Sequence, residues 1–128
     1  LWSLQLAEGA WGITVATAHQ LGIARRFGVQ RAIWANQPVG HVAVDAAFDA
    51  LRDPGFELFV LADGVEIVRG LAEGAARASL PRVLNVLVEV GSIGGRTGAR
   101  TPDGAIEVAR AIAASPGLAL AGVEGFEG

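Results

Sequence analysis

The sequence predicts an α/β fold built on a parallel sheet of about five strands with four to five helices. Three observations carry this. Short apolar runs alternate strictly with helical stretches, as in βα units. The runs are nearly continuous in Val, Ile, Leu and Phe, the pattern of strands buried on both faces. The helical stretches begin and end on recognisable capping residues. An open doubly wound sheet and part of an eight-stranded barrel share this pattern, and the pattern alone does not separate them.

The elements follow in order. Leu1 to Leu6 read as the middle of an amphipathic helix with no capping residue before it. The first strand candidate is Gly12–Ala16. Thr17-Ala18-His19-Gln20 then forms a capping box, a hydroxyl with Gln three residues on. Its helix carries Leu21, Ala24 and Phe27, and Gly28 stops it. The second strand is Ala32–Ala35. A helix over about Val42 to Arg52 follows, with Val44, Ala47, Phe48 and Leu51 inward. The third strand is Phe56–Ala62, and Asp63 with Glu66 reads as a second capping box. The helix after it has Val65, Val68, Leu71 and Ala75 at helical spacing, with Glu73 and Arg77 as an i,i+4 pair. The fourth strand, Leu84–Val90, runs into a glycine-rich stretch. Thr101-Pro102-Asp103 opens the last helix, whose inner face is Ile106, Ala109 and Ile112. Ser115-Pro116-Gly117 ends it, and the fifth strand is Leu118–Val123.

Composition narrows the function classes. The chain has 128 residues, 52% of them apolar and 18% charged, with a net charge of −3. That is room for one domain with a real core. No basic stripe suggests nucleic acid, and no run approaches the roughly 18 apolar residues of a membrane span. The amino terminus lacks the charged and apolar regions of a signal peptide, so a cytoplasmic location is expected. There is no Cys, hence no disulfide or thiolate chemistry. There are ten Arg and no Lys, so no side chain can supply the primary amine of a Schiff base. His19 and His41 stand alone, without partners at metal-ligand spacing; no metal site is expected. Ser92 has no nucleophile-elbow pattern.

In either architecture ligands bind at the carboxyl ends of the strands. That selects Thr17, Asn36 with Gln37, Asp63, the stretch Gly91-Ser92-Ile93-Gly94-Gly95-Arg96-Thr97-Gly98, and Glu124 to Gly128. In the glycine-rich stretch the backbone can approach a ligand closely, and Arg96 offers a planar donor fork for a carboxylate or phenolate. A plain surface loop with a solvated arginine is the competing reading. Phe126 is either a ring that stacks on a flat cofactor or an ordinary core contact. Thr17 and Asp63 have sufficient structural employment as helix caps. Glu124 and Glu127 form a possible carboxylate pair, though charges after a strand are usually solvated. The spacing matches neither phosphate-binding fingerprint.

The segments Gly9-Ala10-Trp11-Gly12-Ile13-Thr14-Val15-Ala16-Thr17, Ala35-Asn36-Gln37, Glu89-Val90-Gly91 through Gly95-Arg96-Thr97-Gly98, and Gly122-Val123-Glu124-Gly125-Phe126-Glu127-Gly128 resemble the D-serine deaminase-like and D-threonine aldolase family. The amino acid deaminase subgroup is the nearest in pattern, and the resemblance spans essentially the whole chain. It implies a partial parallel (β/α) TIM-type barrel of the alanine racemase N-terminal kind. Such enzymes hold pyridoxal phosphate (PLP) at the top of the barrel, carry a C-terminal β domain and are usually homodimers. The resemblance implies that residues 1–128 are an internal fragment covering about strands two to six. The Schiff-base lysine would lie upstream and the phosphate loops downstream. Arg96 would reach the cofactor's phenolic oxygen and Phe126 would lie against the pyridine ring. Thr17, Asn36 and Asp63 complete the expected cofactor-binding set. Metal sites known in parts of the family belong to the C-terminal domain. Relatives often have Asp-Ser where this chain has Asp63-Gly64.

The implied activity is a PLP-dependent lyase on small D-hydroxy-amino acids, giving keto acid and ammonia. Retro-aldol cleavage of the D-threonine aldolase type is the alternative, and a non-catalytic PLP-binding barrel protein is a second. An open-sheet nucleotide binder is disfavoured by the missing fingerprint. Without a lysine the chain alone is expected to be inactive.

Overall fold

The computed structural model describes residues 1–125. In chain order the elements are α1 (Trp2–Ala7), β1 (Ile13–Val15), α2 (Ala18–Arg26), β2 (Arg31–Trp34), α3 (Gly40–Ala50), β3 (Glu57–Ala62), α4 (Val65–Ala78), β4 (Leu84–Val90), α5 (Pro102–Ala113) and β5 (Leu118–Gly125). The strands form one parallel sheet in the sequential order β1-β2-β3-β4-β5. A doubly wound sheet reverses its strand order in the middle; this one does not.

Register divides the sheet into two faces, because side chains alternate along a strand. One face carries the rows Ile13–Ala32–Leu58 and Val15–Trp34–Val60–Val86. All seven are buried and belong to the main core with Leu21, Ala24, Val44, Phe48, Val68, Leu71, Val108 and Ile112 from the helices. Successive helices touch one another, α2 to α3, α3 to α4 and α4 to α5, so they form a single layer on this face. The other face carries Arg31–Glu57, then Thr14–Ile33–Phe59–Asn85, then Leu61–Leu87–Gly122, and at the carboxyl end Glu89–Glu124. Gln37, just past β2, donates to Glu89 on β4 across the intervening β3. Two strand spacings measure nearly 10 Å, so both side chains reach across the helix-free face, which is the concave side of a barrel arc.

The expectation of strands buried on both faces needs correction. Burial alternates in β1, in β2 and through most of β4. The helix side is sealed and the concave side half-exposed, although Ile33, Phe59 and Leu87 on it are apolar. That is the composition of a barrel interior seen from an open side.

The amino end of the concave face is closed by side chains. Trp11 packs against Phe59 with ring centroids 5.4 Å apart and the rings tilted by 54°, and the Arg31 guanidinium lies 4.4 Å from the Trp11 ring. Arg31 also pairs with Glu57. Below the strands, Arg82 donates to the carbonyls of Leu51 (2.9 Å), Asp53 (2.6 Å) and Phe56 (2.8 Å), tying the turn before β3 to the turn before β4.

Phe27 is the C-cap of α2 and is 71% exposed. Two local expectations differ from the structure. On α5 the buried positions are Val108 and Ile112, while Ile106 is half-exposed. Arg77 bonds Asp45 of α3 at 2.8 Å, a link between helices where an i,i+4 pair with Glu73 was expected.

Candidate functional site at the carboxyl end of the sheet

Each βα junction contributes one residue of the expected set. Thr17 follows β1, Asn36 follows β2, Asp63 follows β3 and Arg96 follows β4. The four therefore lie around one end of the sheet. Phe126, and Glu127 with it, lie outside the described residues.

Thr17 is a helix cap. Its hydroxyl accepts from the Gln20 amide at 3.1 Å, and the Gln20 side chain accepts from the Ala16 amide at 2.7 Å. This is the expected capping box with the return bond moved one residue upstream. Asp63 is not a cap: the N-cap of α4 is Gly64, with no side-chain hydrogen bond. Asp63 Oδ2 instead accepts from the Gly98 amide and lies 3.3 Å from Thr97 Oγ1. The local capping-box spacing is present, but the carboxylate serves a loop that follows the next strand.

That loop, residues 91–98, folds back on its own strand. Gly91 N–H donates to the Ala99 carbonyl (3.0 Å) and Ala99 N–H to the Glu89 carbonyl (2.8 Å). A Cβ on Gly91 would sit 1.9 Å from the Thr97 carbonyl oxygen. Gly98 has φ +94, and a Cβ there would meet Gly91 N at 2.5 Å. Only glycine permits this closure. Arg100 fastens the loop's interior, donating to the carbonyls of Ser92 (2.6 Å) and Gly95 (3.0 Å).

Held this way, the loop brings Arg96 to Asn36, whose Oδ1 accepts from the guanidinium at 3.4 Å. Asn36 Nδ2 in turn donates to the Ala16 carbonyl at 3.1 Å. So the ends of β1, β2 and β4 are linked through Asn36 and Arg96.

The structure is similar to solved enzymes. The D-threonine aldolase from Filomicrobium marinum superposes with a TM-score of 0.84 at 29% identity, over 95% of this chain and 32% of that one. The alanine racemase of Clostridium difficile 630 superposes with a TM-score of 0.54 at 16% identity, over 90% of this chain and 37% of the other. The chain is a partial TIM-type barrel of the alanine racemase-like kind. It spans about a third of the length of these structures. No protein-family model and no curated sequence matches it.

On the concave face of this barrel arc, sequence reasoning passed over the most buried polar group. Glu89 is 1% exposed, the one charged residue buried to this degree among those described. It accepts from Gln37 Nε2 and from Thr97 Oγ1, the latter at 2.8 Å. The available signal was a carboxylate inside an otherwise apolar strand, which needs internal partners. Its register partner Glu124 is half-buried, and Oε2 of Glu124 is shielded from solvent without a hydrogen-bond partner. Burial pushes the Glu124 carboxyl above its usual range, the Glu89 charge pushes it further, and Arg96 partly offsets both. Among the described residues no group of three or more His, Cys, Asp or Glu could hold a metal ion. No described helix is long and apolar enough to cross a membrane.

Proposed function

We propose that this chain is the arc from about strand two to strand six of the PLP-binding barrel of a lyase acting on D-hydroxy-amino acids. The observation that carries the reading is the Arg96 guanidinium, bonded to Asn36 on a glycine-closed loop at the carboxyl end of a concave parallel sheet. Active sites of such barrels lie at that end. Similarity to a D-threonine aldolase at 29% identity over 95% of the chain supports it.

The residues present fit part of the cofactor. Arg96 can donate to the phenolic oxygen, with Asn36 holding its orientation. Glu124, whose Oε2 is shielded and unpartnered, lies within electrostatic reach of Arg96. Thr17 and Asp63 contribute indirectly, by capping α2 and by holding Gly98. The chain has no lysine, so covalent attachment falls to other parts of the parent protein, and the family resemblance places the phosphate cradle there as well. When bound, PLP supplies an electron sink for the α-carbon of the amino acid. The chain's own part is to orient the ring through Arg96 and to close the barrel floor with Trp11, Arg31 and Phe59.

The reaction we favour is loss of water from the hydroxy-amino acid followed by hydrolysis, giving a keto acid and ammonia. The similarity to the aldolase favours retro-aldol cleavage as the second reading. Turnover of D-serine and D-threonine by the parent protein distinguishes them. Keto acid with ammonia supports the first, and glycine with an aldehyde supports the second. PLP-dependent turnover of neither D-isomer would refute both.

A further inference from the structure

Two adjacent residues past β2 meet two adjacent residues of the β4 loop: Asn36 bonds Arg96 at 3.4 Å and Gln37 bonds Thr97 at 3.0 Å. From this clasp we infer that Thr97 is a positioning residue, whose hydroxyl latches the loop so that Arg96 faces the ligand. The inference rests on the functional reading above.

A threonine hydroxyl has one proton to give and two lone pairs to accept with. Thr97 Oγ1 accepts from Gln37 Nε2. It lies 2.8 Å from Glu89 Oε2 and 3.3 Å from Asp63 Oδ2, so its proton goes to Glu89. Asp63 Oδ2 is then left to take the Gly98 amide at 3.3 Å. Two strand ends thus bond one hydroxyl, β2 through Gln37 and β4 through Glu89, while β3 holds the next residue's amide through Asp63. The hydroxyl belongs to the residue next to Arg96. Glu89 is the anchor, since a buried carboxylate gains most from fixed donors. Arg100 holds the loop at the Ser92 and Gly95 carbonyls, and the two residues between them are open. Ile93 is 88% exposed, and a Cβ added at Gly94 would touch nothing. Thr97 therefore fixes the loop on one side of Arg96, as the Arg100 clamp on Gly95 does on the other.

The test compares wild type, Thr97→Val, which keeps the shape without the hydroxyl, and Thr97→Ser, which restores it. Two readouts are used on the parent protein: amide hydrogen exchange at Gly98 and Ala99 without ligand, and PLP affinity by titration. Thr97→Val should accelerate Gly98 exchange and weaken PLP binding, each by about tenfold, and Thr97→Ser should return both toward wild type. Unchanged exchange in Thr97→Val would overturn the latch. Faster exchange with unchanged affinity would overturn the positioning role. A wild-type protein that binds no PLP would refute the functional reading itself, and the exchange readout separates that failure from failure of the latch.

Discussion

Glu89 and Glu124 are direct register partners across β4 and β5, two carboxyl groups side by side at the carboxyl end of the concave face. Their surroundings divide them. Glu89 is buried and satisfied by Gln37 and Thr97, whereas one oxygen of Glu124 is shielded with nothing to accept from. Burial first, and the Glu89 charge second, raise the Glu124 carboxyl above its usual value of 4.5, against the opposing pull of Arg96.

This pair sets a pH dependence. As pH rises above 4.5 the unfolded chain loses the Glu124 proton before the folded chain does. The folded state then holds more protons, so stability falls with pH until the raised folded value is passed. Glu124→Gln removes this component. Urea midpoints of wild type and Glu124→Gln should diverge as pH rises from 4.5, with wild type the less stable. A difference that stays constant with pH would contradict the assignment.

Two glycines of the β4 loop separate backbone strain from steric closure. Gly94 and Gly98 both have positive φ, +81 and +94, but only Gly98 faces backbone atoms, at 2.5 Å. Gly94→Ala should cost about 1 kcal/mol from the left-handed conformation alone. Gly98→Ala adds overpacking and should cost about 3 kcal/mol. Thermal or urea unfolding of both variants checks the order. Equal losses would mean that the loop is not closed at Gly98.

Helix α4 offers a similar contrast. A Cβ on Gly70 would touch nothing, so Gly70→Ala should stabilise by about 0.5–1 kcal/mol through helix propensity. A Cβ on Gly74 would lie 2.2 Å from Val44 Cγ1 and 3.0 Å from Phe48 Cε2 of α3. There the propensity gain of about 1 kcal/mol is set against overpacking of about 1–3 kcal/mol. Gly74→Ala should therefore destabilise, and a stabilised Gly74→Ala would show that α3 and α4 are packed more loosely.

Arg82 joins two turns through three carbonyls, those of Leu51, Asp53 and Phe56. Arg82→Ala should lower stability by about 2–3 kcal/mol, since these bonds involve a charged donor. Arg82→Lys should recover little of it, because an ammonium lacks the planar fork. Denaturant unfolding of the two variants measures this, and a lysine variant as stable as wild type would count against the geometric argument.

The alternation of elements was legible because local signals agreed at almost every step. Thr17 and Thr101 both cap as their spacing indicates, at 3.1 Å each. Asp63 and Arg77 depart from their local spacing for one cause, a partner distant in sequence. Asp63 has a capping-box neighbour in Glu66, but its carboxylate is held by Gly98, 35 residues on. Arg77 has Glu73 one turn away, yet it bonds Asp45, 32 residues away. Local spacing contains no trace of either competitor. Placing candidates just past strand ends found Arg96 and Asn36. It overlooked Glu89, which lies within an apolar strand and not beyond its end. Phe126, expected to stack on the cofactor ring, lies outside the described residues.

The most direct test of the central claim, that this arc presents the ring-orienting arginine but not the amine, is to mix the 128-residue chain with PLP, reduce with borohydride and map the products by mass spectrometry, with a parallel D-serine assay. With ten arginines and no lysine, the chain should carry no side-chain adduct. Any labelling should fall on the terminal amine, which is not positioned over the site and reacts only slowly. D-serine turnover should not exceed that of free PLP. A PLP-dependent rate well above that of free PLP would contradict the account, because the site would then work without a lysine.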